Sequence, residues 1–265
     1  MSAIQNPVAE ASFVLHETSR NENAKPASLT VRAQEGESRL IFASHPGGFA
    51  AEQYRVIRRK LVERYPDGAI LLVTSPGPND GKTLTATNLA WCLAEAGMLT
   101  LLAEMDLRNP SIDKLLGYGF DGPGIESYLH EDMDPNTILR QINRMQFYIA
   151  TARKPLENPV DVITGQKLKS FLQWAREKHK WVVLDSPPLL TISDSMELSA
   201  LADSTVLVVR ARVTPRVLIE RSIELLGPRL HQVIMNEGTE CADSSHRYFS
   251  ESYPYPYGSR KRKKE

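Results

Sequence analysis

The chain has 265 residues, 42% of them hydrophobic and 24% charged, a globular balance that suits one α/β domain with tails or two small domains at most. Acidic and basic residues cancel to zero formal charge, so no global field directs the chain to nucleic acid, and none is expected as a partner. Apolar runs such as Ala69–Val73 and Val206–Val209 hold four or five residues, against about twenty for a membrane helix; no basic-then-apolar signal pattern opens the sequence, and Cys92 and Cys241 fit no zinc spacing and suit a reducing cytosol.

In chain order, residues 1–45 are polar and read as a flexible N-terminal extension with a short docking segment. Residues 50–64 switch to helical periodicity, with Tyr54, Ile57 and Leu61 at i, i+3 and i+7. From residue 69 strands alternate with helices. Strands are predicted at 69–74, 100–105, 147–151, 181–185, 204–211 and 232–236, and helices between them, including 82–96, 167–179 and 215–226. Short strands rich in Val, Ile and Leu, separated by helices, predict an α/β domain over 46–240 whose mainly parallel sheet carries helices on both faces. Ligands of such sheets bind outside the carboxyl ends of the strands. Residues 241–265 hold no periodic pattern and read as a loose tail. It is rich in tyrosine and ends in five positive charges, Arg260-Lys261-Arg262-Lys263-Lys264.

The most informative stretch is 69–90, AILLVTSPGPNDGKTLTATNLA. An apolar strand runs into a Gly-, Pro-, Asn- and Asp-rich turn, then Gly81-Lys82-Thr83, then a helix. That is the layout of a phosphate-binding P-loop. Free N–H groups and the dipole at the helix start favour anions, so Gly77, Asp80, Gly81, Lys82, Thr83 and Leu84 are the candidate nucleotide-binding residues. Lys82 reaches the β- and γ-phosphates in such a loop, and the Thr83 hydroxyl ligates Mg2+. Pro76 stands where the first glycine is usual. It offers no N–H to a phosphate, and Gly77 beside it keeps the loop flexible.

A P-loop needs carboxylates for its metal. Trp181-Val182-Val183-Leu184-Asp185 is an apolar strand ending in an acid, the Walker B layout, and Ser186-Pro187-Pro188 stops it. Leu101–Arg108 supplies Glu104 and Asp106, two apart and therefore on one side if the strand persists through them. One acid then holds metal while another accepts a proton from an attacking hydroxyl. Lys82, Glu104, Asp106 and Asp185 are the candidate catalytic residues, and Thr83, Asp106 and Asp185 the candidate metal ligands.

The block Leu101–Pro110, LLAEMDLRNP, resembles the Walker A′ motif of bacterial tyrosine kinases, P-loop enzymes unrelated to eukaryotic kinases. The resemblance continues in that family's order through Asn158-Pro159, Leu184–Pro188, Ser193-Asp194 and Leu207–Arg210. It also includes Glu52-x-x-Arg55-x-x-Arg58 before the P-loop and Tyr248, Tyr253, Tyr255 and Tyr257 in the tail. The resemblance implies a P-loop NTPase fold, ATP and Mg2+ as cofactors, and autophosphorylation of the tail tyrosines in trans. It further implies a ring-like homo-oligomer assembled through Glu52, Arg55 and Arg58, and a role in capsular or extracellular polysaccharide export. It implies a cytoplasmic location at the inner face of the membrane, held there by a membrane-anchored activator, a polysaccharide co-polymerase. Asn236 matches the position that reads the adenine edge, where an amide both donates and accepts. Glu104 departs from the family's aspartate at the position of a proposed hydroxyl-activating base. The extra methylene moves the carboxylate by about 1–1.5 Å, a misplacement that can cost about a hundredfold in rate. On that reading Glu104→Asp speeds the reaction, or leaves it unchanged where the backbone already compensates. Two alternatives stay open. One is a partitioning or division-site ATPase switch, whose signature lysine position is Gly77 here. The other is a nucleotide-binding scaffold whose transfer activity is impaired by Pro76 and Glu104.

Overall fold

Runs of Val, Ile and Leu bounded by turn residues become strands when both faces can be covered, and that condition organises this molecule. The computed structural model describes residues 26–31, 39–117 and 121–238. In chain order the elements are β1 (Ala27–Leu29), α1 (Ile41–Ser44), α2 (Phe49–Arg64), β2 (Ala69–Thr74), α3 (Lys82–Glu95), β3 (Thr100–Glu104), α4 (Ile112–Leu116), α5 (Ile125–His130) and β4 (Arg140–Ile142). They continue with β5 (Phe147–Ala150), α6 (Val160–Thr164), α7 (Gln166–Lys178), β6 (Trp181–Asp185), α8 (Asp194–Leu201), β7 (Ser204–Arg210), α9 (Arg216–Leu226) and β8 (Leu230–Asn236).

Among the described residues the strands form one sheet in the order β1-β4-β5-β3-β6-β2-β7-β8. The six strands from β5 to β8 in that order are mutually parallel. Every residue of β2, β3 and β6 is buried, as a strand covered on both faces requires. Successive side chains serve opposite cores. Leu71, Val73, Leu102 and Val183 face α2 and α3, whereas Ile70, Leu72, Leu101, Val182 and Leu184 face α5 and α7 through residues such as Tyr128, Phe171 and Leu172. Burying each large aliphatic side chain stabilises by about 1.5–3 kcal/mol. Helix α3 lies between the sheet and α1 and α2, and is buried at each position from Thr85 to Ala94.

The six predicted strands are present within a residue or two at their ends. Two further strands extend the sheet beyond β5. Strand β4 runs antiparallel to β5, and β1 pairs parallel with β4. The β4–β5 turn places Asn143 and Arg144 at φ 49° and 54°, the paired left-handed conformation of a tight hairpin. Within the N-terminal stretch two short pieces are docked. Asn143 receives the Val31 N–H on its Oδ1 (2.7 Å), and Asn88 of α3 receives the Ile41 N–H (2.8 Å) while donating to the Arg39 carbonyl. No helix among the described residues is long and apolar enough to cross a membrane. The tail tyrosines Tyr248, Tyr253, Tyr255 and Tyr257 and the basic run after them lie outside the described residues.

Candidate active site

The register aligns the carboxyl ends of the central strands. Val73 of β2 and Glu104 of β3 both sit opposite Asp185 of β6, so the P-loop and both acidic strand ends open into one crevice. The loop from Ser75 to Gly81 turns the chain from β2 into α3. Gly81 takes φ 94°, a backbone angle that demands glycine, and a Cβ built on it would also run into Nδ2 of Asn236. Asp80 braces the loop. Its Oδ2 accepts the Gly77 N–H (3.1 Å) and its Oδ1 accepts the Thr214 hydroxyl (2.7 Å). The Asn236 amide nitrogen donates to the Asp80 carbonyl (3.0 Å), so this residue at the end of β8 holds the loop itself. Leu84 lies in the first turn of α3 and packs on the core. Pro76, without an N–H, still contributes its carbonyl, which accepts from Leu190 N–H at 3.4 Å.

Lys82, the first residue of α3, places Nζ 2.9 Å from Oδ2 of Asp106. Burial pulls its ammonium pKa down, but the charges of Asp185, Asp106 and Glu104 outweigh burial and hold the pKa above its usual value. The other oxygen of Asp106 accepts the Asn109 N–H at 3.2 Å. Asp185 is completely buried, and neither of its oxygens has a hydrogen-bond partner. Burial pushes its carboxyl up to about 6; the Lys82 charge opposes that rise, and the Asp106 charge adds to it.

Glu104 is placed differently from Asp106. Strand β3 ends at Glu104, so the two acids do not continue one extended run. Oε1 of Glu104 accepts the N–H groups of Ser111 and Ile112 at the start of α4, and Oε2 accepts that of Ala152 beyond β5 (3.0 Å). Burial pushes its carboxyl up to about 7, although these three donors favour its charged form. The carboxylate expected to act as a base is thus engaged with main chain.

Two side chains join the site without a motif announcing them. The Ser111 hydroxyl lies 3.3 Å from that of Thr83, and Thr214 braces Asp80 as described. Arg108 of the Asp106-Leu107-Arg108 run ties this loop to α8 by pairing with both oxygens of buried Asp194 at 2.8 and 3.4 Å. The predicted assembly residues lie apart from the crevice, on α2 against the far half of α3. Arg55 pairs with Glu52 (2.6 Å) and with Glu95 (3.1 Å), and Arg58 donates to the Cys92 carbonyl (3.0 Å). Both arginines are therefore engaged within the chain, and Arg55 also sits over the Phe42 ring.

This donor set fits a nucleotide with Mg2+. Three carboxylates face one ammonium, and Asp185 keeps two buried oxygens without partners. Mg2+ takes oxygen ligands and is held by one or two carboxylates together with water and phosphate. A cluster of three or more His, Cys, Asp or Glu side chains in metal-binding array is absent among the described residues. The start of α3 supplies unpaired N–H groups for the phosphates.

Comparison with known proteins agrees with this geometry. No protein-family model matches the chain. The chain is 26% identical over 223 residues to the tyrosine-protein kinase YwqD of Bacillus subtilis, covering 82% of this chain and 94% of that one. It is 27% identical over 208 residues to the putative tyrosine-protein kinase AmsA of Erwinia amylovora, covering 74% of this chain but only 28% of AmsA. Among solved structures, the VpsO kinase domain superposes with a TM-score of 0.63 at 28% identity, covering 71% of this chain and 98% of that domain. The septum site-determining protein MinD of Pyrococcus horikoshii, complexed with Mg-ADP, shares the fold at a TM-score of 0.55 and 18% identity, covering 64% of this chain and 71% of MinD. With Lys82, Asp106 and Asp185 converging on one crevice, and with tyrosine kinases recurring among the proteins it matches, the chain is similar to the bacterial P-loop tyrosine kinases.

Proposed function

We propose that this chain is an ATP-dependent tyrosine autokinase that phosphorylates Tyr248, Tyr253, Tyr255 and Tyr257 of a neighbouring copy. The observation that carries the reading is the Lys82–Asp106 pair at 2.9 Å beside Asp185, whose buried oxygens have no partner. Mg2+, when bound, supplies positive charge that draws off electron density from the phosphates. Thr83, Asp185 and Asp106 are the residues that would hold it. Lys82 neutralises charge on the β- and γ-phosphates, for which it exchanges its contact with Asp106. The tyrosine oxygen forms a bond to the γ-phosphorus as the bond to the β,γ-bridging oxygen breaks. The phenolic proton passes to a carboxylate of the crevice or to solvent, and ADP leaves. Glu104, whose oxygens already accept three N–H bonds, is not free to take that proton. Asn236 holds the P-loop by its amide nitrogen and offers its amide oxygen to the adenine amine.

The finer parts of the reading rest on the resemblance. Residues Glu52, Arg55 and Arg58 contribute to a ring of copies. A membrane-anchored activator holds the ring at the inner face of the membrane, where the phosphorylation state of the tail governs polysaccharide assembly and export. Each phosphate adds roughly −1.5 to −2 charges, so two or three offset the five positives of Arg260–Lys264. The unmodified tail then docks on an acidic surface of a neighbour or partner, and phosphorylation releases it. The fold likeness to MinD supports a second reading, a nucleotide-driven ATPase switch, and the engaged Glu104 supports a third, a nucleotide-binding scaffold.

One experiment separates the three. The purified chain is incubated with ATP and Mg2+, phosphotyrosine is mapped by mass spectrometry, and ADP release is followed in the same tube. Phosphotyrosine confined mostly to 246–265, lost in Lys82→Ala and in a chain lacking 246–265, is the expected result. ADP release without phosphotyrosine identifies the switch, and neither product identifies the scaffold. Unchanged autophosphorylation in Lys82→Ala refutes the kinase reading of this site.

A further inference from the structure

Ser111 was not marked by any motif, yet it lies between two parts of the crevice. Its N–H is held by Oε1 of Glu104, and its hydroxyl lies 3.3 Å from that of Thr83. Ser111 is partly buried. The segment from Asp106 to Ser111 is tied at both ends. Asp106 holds the Asn109 N–H at one end, and Glu104 holds those of Ser111 and Ile112 at the other. The second oxygen of Glu104 reaches across to Ala152 N–H at 3.0 Å, which fixes the carboxylate against β5. Three of its roughly four acceptor positions are thereby taken by main chain. A general base must face the proton it removes, whereas this carboxylate faces amides on two sides.

We propose that Ser111 is a further residue of the nucleotide–Mg2+ site, supporting the Thr83 hydroxyl from outside, and that Glu104 is the positioning residue that seats Ser111 there. The inference rests on the reading of this crevice as a nucleotide–Mg2+ site. A hydrogen bond to a metal-binding hydroxyl orients its lone pair, and loss of such outer partners commonly costs about ten- to a hundredfold in metal affinity. The length of glutamate matters in this arrangement. An aspartate at 104 draws the carboxylate back by about 1–1.5 Å and cannot span the start of α4 and Ala152 together.

The test is calorimetric titration of the full chain with ADP, once with Mg2+ and once with EDTA. The readout is the ratio of the two affinities. Ser111→Ala is expected to lower that ratio about tenfold or more, and Ser111→Thr to restore it. Glu104→Asp is expected to lower it comparably despite keeping a carboxylate. Glu104→Gln, which keeps the side-chain length and an oxygen for Ser111 and Ile112, is expected to lower it less than Glu104→Asp. A wild-type ratio in Ser111→Ala overturns the inference for Ser111. Full Mg-ADP affinity in Glu104→Gln together with lost phosphotransfer overturns it for Glu104 and makes that residue the base. Absence of ADP binding by the wild-type chain overturns the reading of the whole crevice and this inference with it; wild-type binding with an unaffected Ser111→Ala overturns this inference alone.

Discussion

Asp185→Asn separates the stability of this protein from its function. Asp185 is completely buried without a hydrogen bond to either oxygen, and burial pushes its carboxyl from 3.8 to about 6. That rise makes the charged form about 3 kcal/mol costlier in the folded chain than in the unfolded one. The sign follows from proton binding. Below 3.8 the group is neutral in both states and costs nothing; between 3.8 and about 6 the folded chain holds a proton the unfolded chain has given up, so stability falls with rising pH and the loss is complete above about 6. Asparagine carries no charge at any pH. The ligand-free variant is therefore expected to melt higher than the wild type at about pH 8, by about 6–12 °C at roughly 2–4 °C per kcal/mol, and to match it near pH 4. Lys82 keeps its 2.9 Å contact with Asp106 in the variant, so the ammonium is not stranded. Mg-ADP reverses the order. A ligand at a thousand times its Kd stabilises the wild type by about 4.1 kcal/mol, more than the advantage of about 3 kcal/mol that the ligand-free variant holds, and the variant, lacking the metal-binding charge, is expected to gain far less. Thermal melts at the two pH values, with and without Mg-ADP, check both parts. A ligand-free variant that melts at or below the wild type near neutral or alkaline pH refutes the argument that Asp185 is an unpaired charge held ready for a cation.

Gly81→Ala places a Cβ at φ 94° against the Asn236 amide, and is expected to destabilise the chain by more than about 1 kcal/mol and to abolish Mg-ATP binding; adding Asn236→Ala relieves the contact but not the backbone angle, so thermal melts should find the lost stability recovered only in part. Arg55→Ala with Arg58→Ala removes the pairs with Glu52 and Glu95 and the bond to the Cys92 carbonyl. The half-exposed pairs are worth about 0.2–1 kcal/mol each and the bond about 0.5–1.5, so the monomer stays folded with a modestly lower melting temperature. Light scattering should then show a smaller oligomer, and an unaltered oligomer rejects the assembly role of α2.

What the sequence made legible follows the range of the interactions. β2, β3, β5, β6, β7 and β8 stood out because each is an apolar run between turn residues. β4 did not, since Arg140 and Gln141 begin it and its three residues show no period. β1 exists only because Asn143 and β4 receive it more than a hundred residues away. Helices α4, α5 and α6 hold five or six residues, too few to display a helical stripe. That Lys82, Asp106 and Asp185 meet in one crevice was readable, because a helix start after a Gly-rich turn and acids at or just past strand ends share the carboxyl edge of a parallel sheet. Their surroundings were not. Thr214 braces Asp80 across 134 positions, and nothing in its neighbours marks it. The spacing of Glu52, Arg55 and Arg58 announced a shared region of α2, but not that the end of α3 lies beneath it.

Glu104 shows most sharply why a site residue can be identified while its role is not. Position and charge were both visible: a carboxylate at the end of β3, two residues before Asp106. Which donors claim its lone pairs was invisible, because those donors are main-chain N–H groups at Ser111, Ile112 and Ala152, and every sequence supplies such groups everywhere. If the carboxylate is a base set too far out, Glu104→Asp brings it closer and raises the rate. If it is a tie that seats Ser111 beside Thr83, the same change withdraws it from amides on two sides and lowers the rate. The added methylene is thus either a defect or the means of reaching both α4 and β5. The three bonds favour the second, so autophosphorylation by Glu104→Asp is expected to fall below that of the wild type, with Mg2+-dependent ADP affinity falling alongside it. A faster Glu104→Asp enzyme with wild-type Mg-ADP affinity would return Glu104 to the role of base and leave its three hydrogen bonds as no more than the means of aiming it.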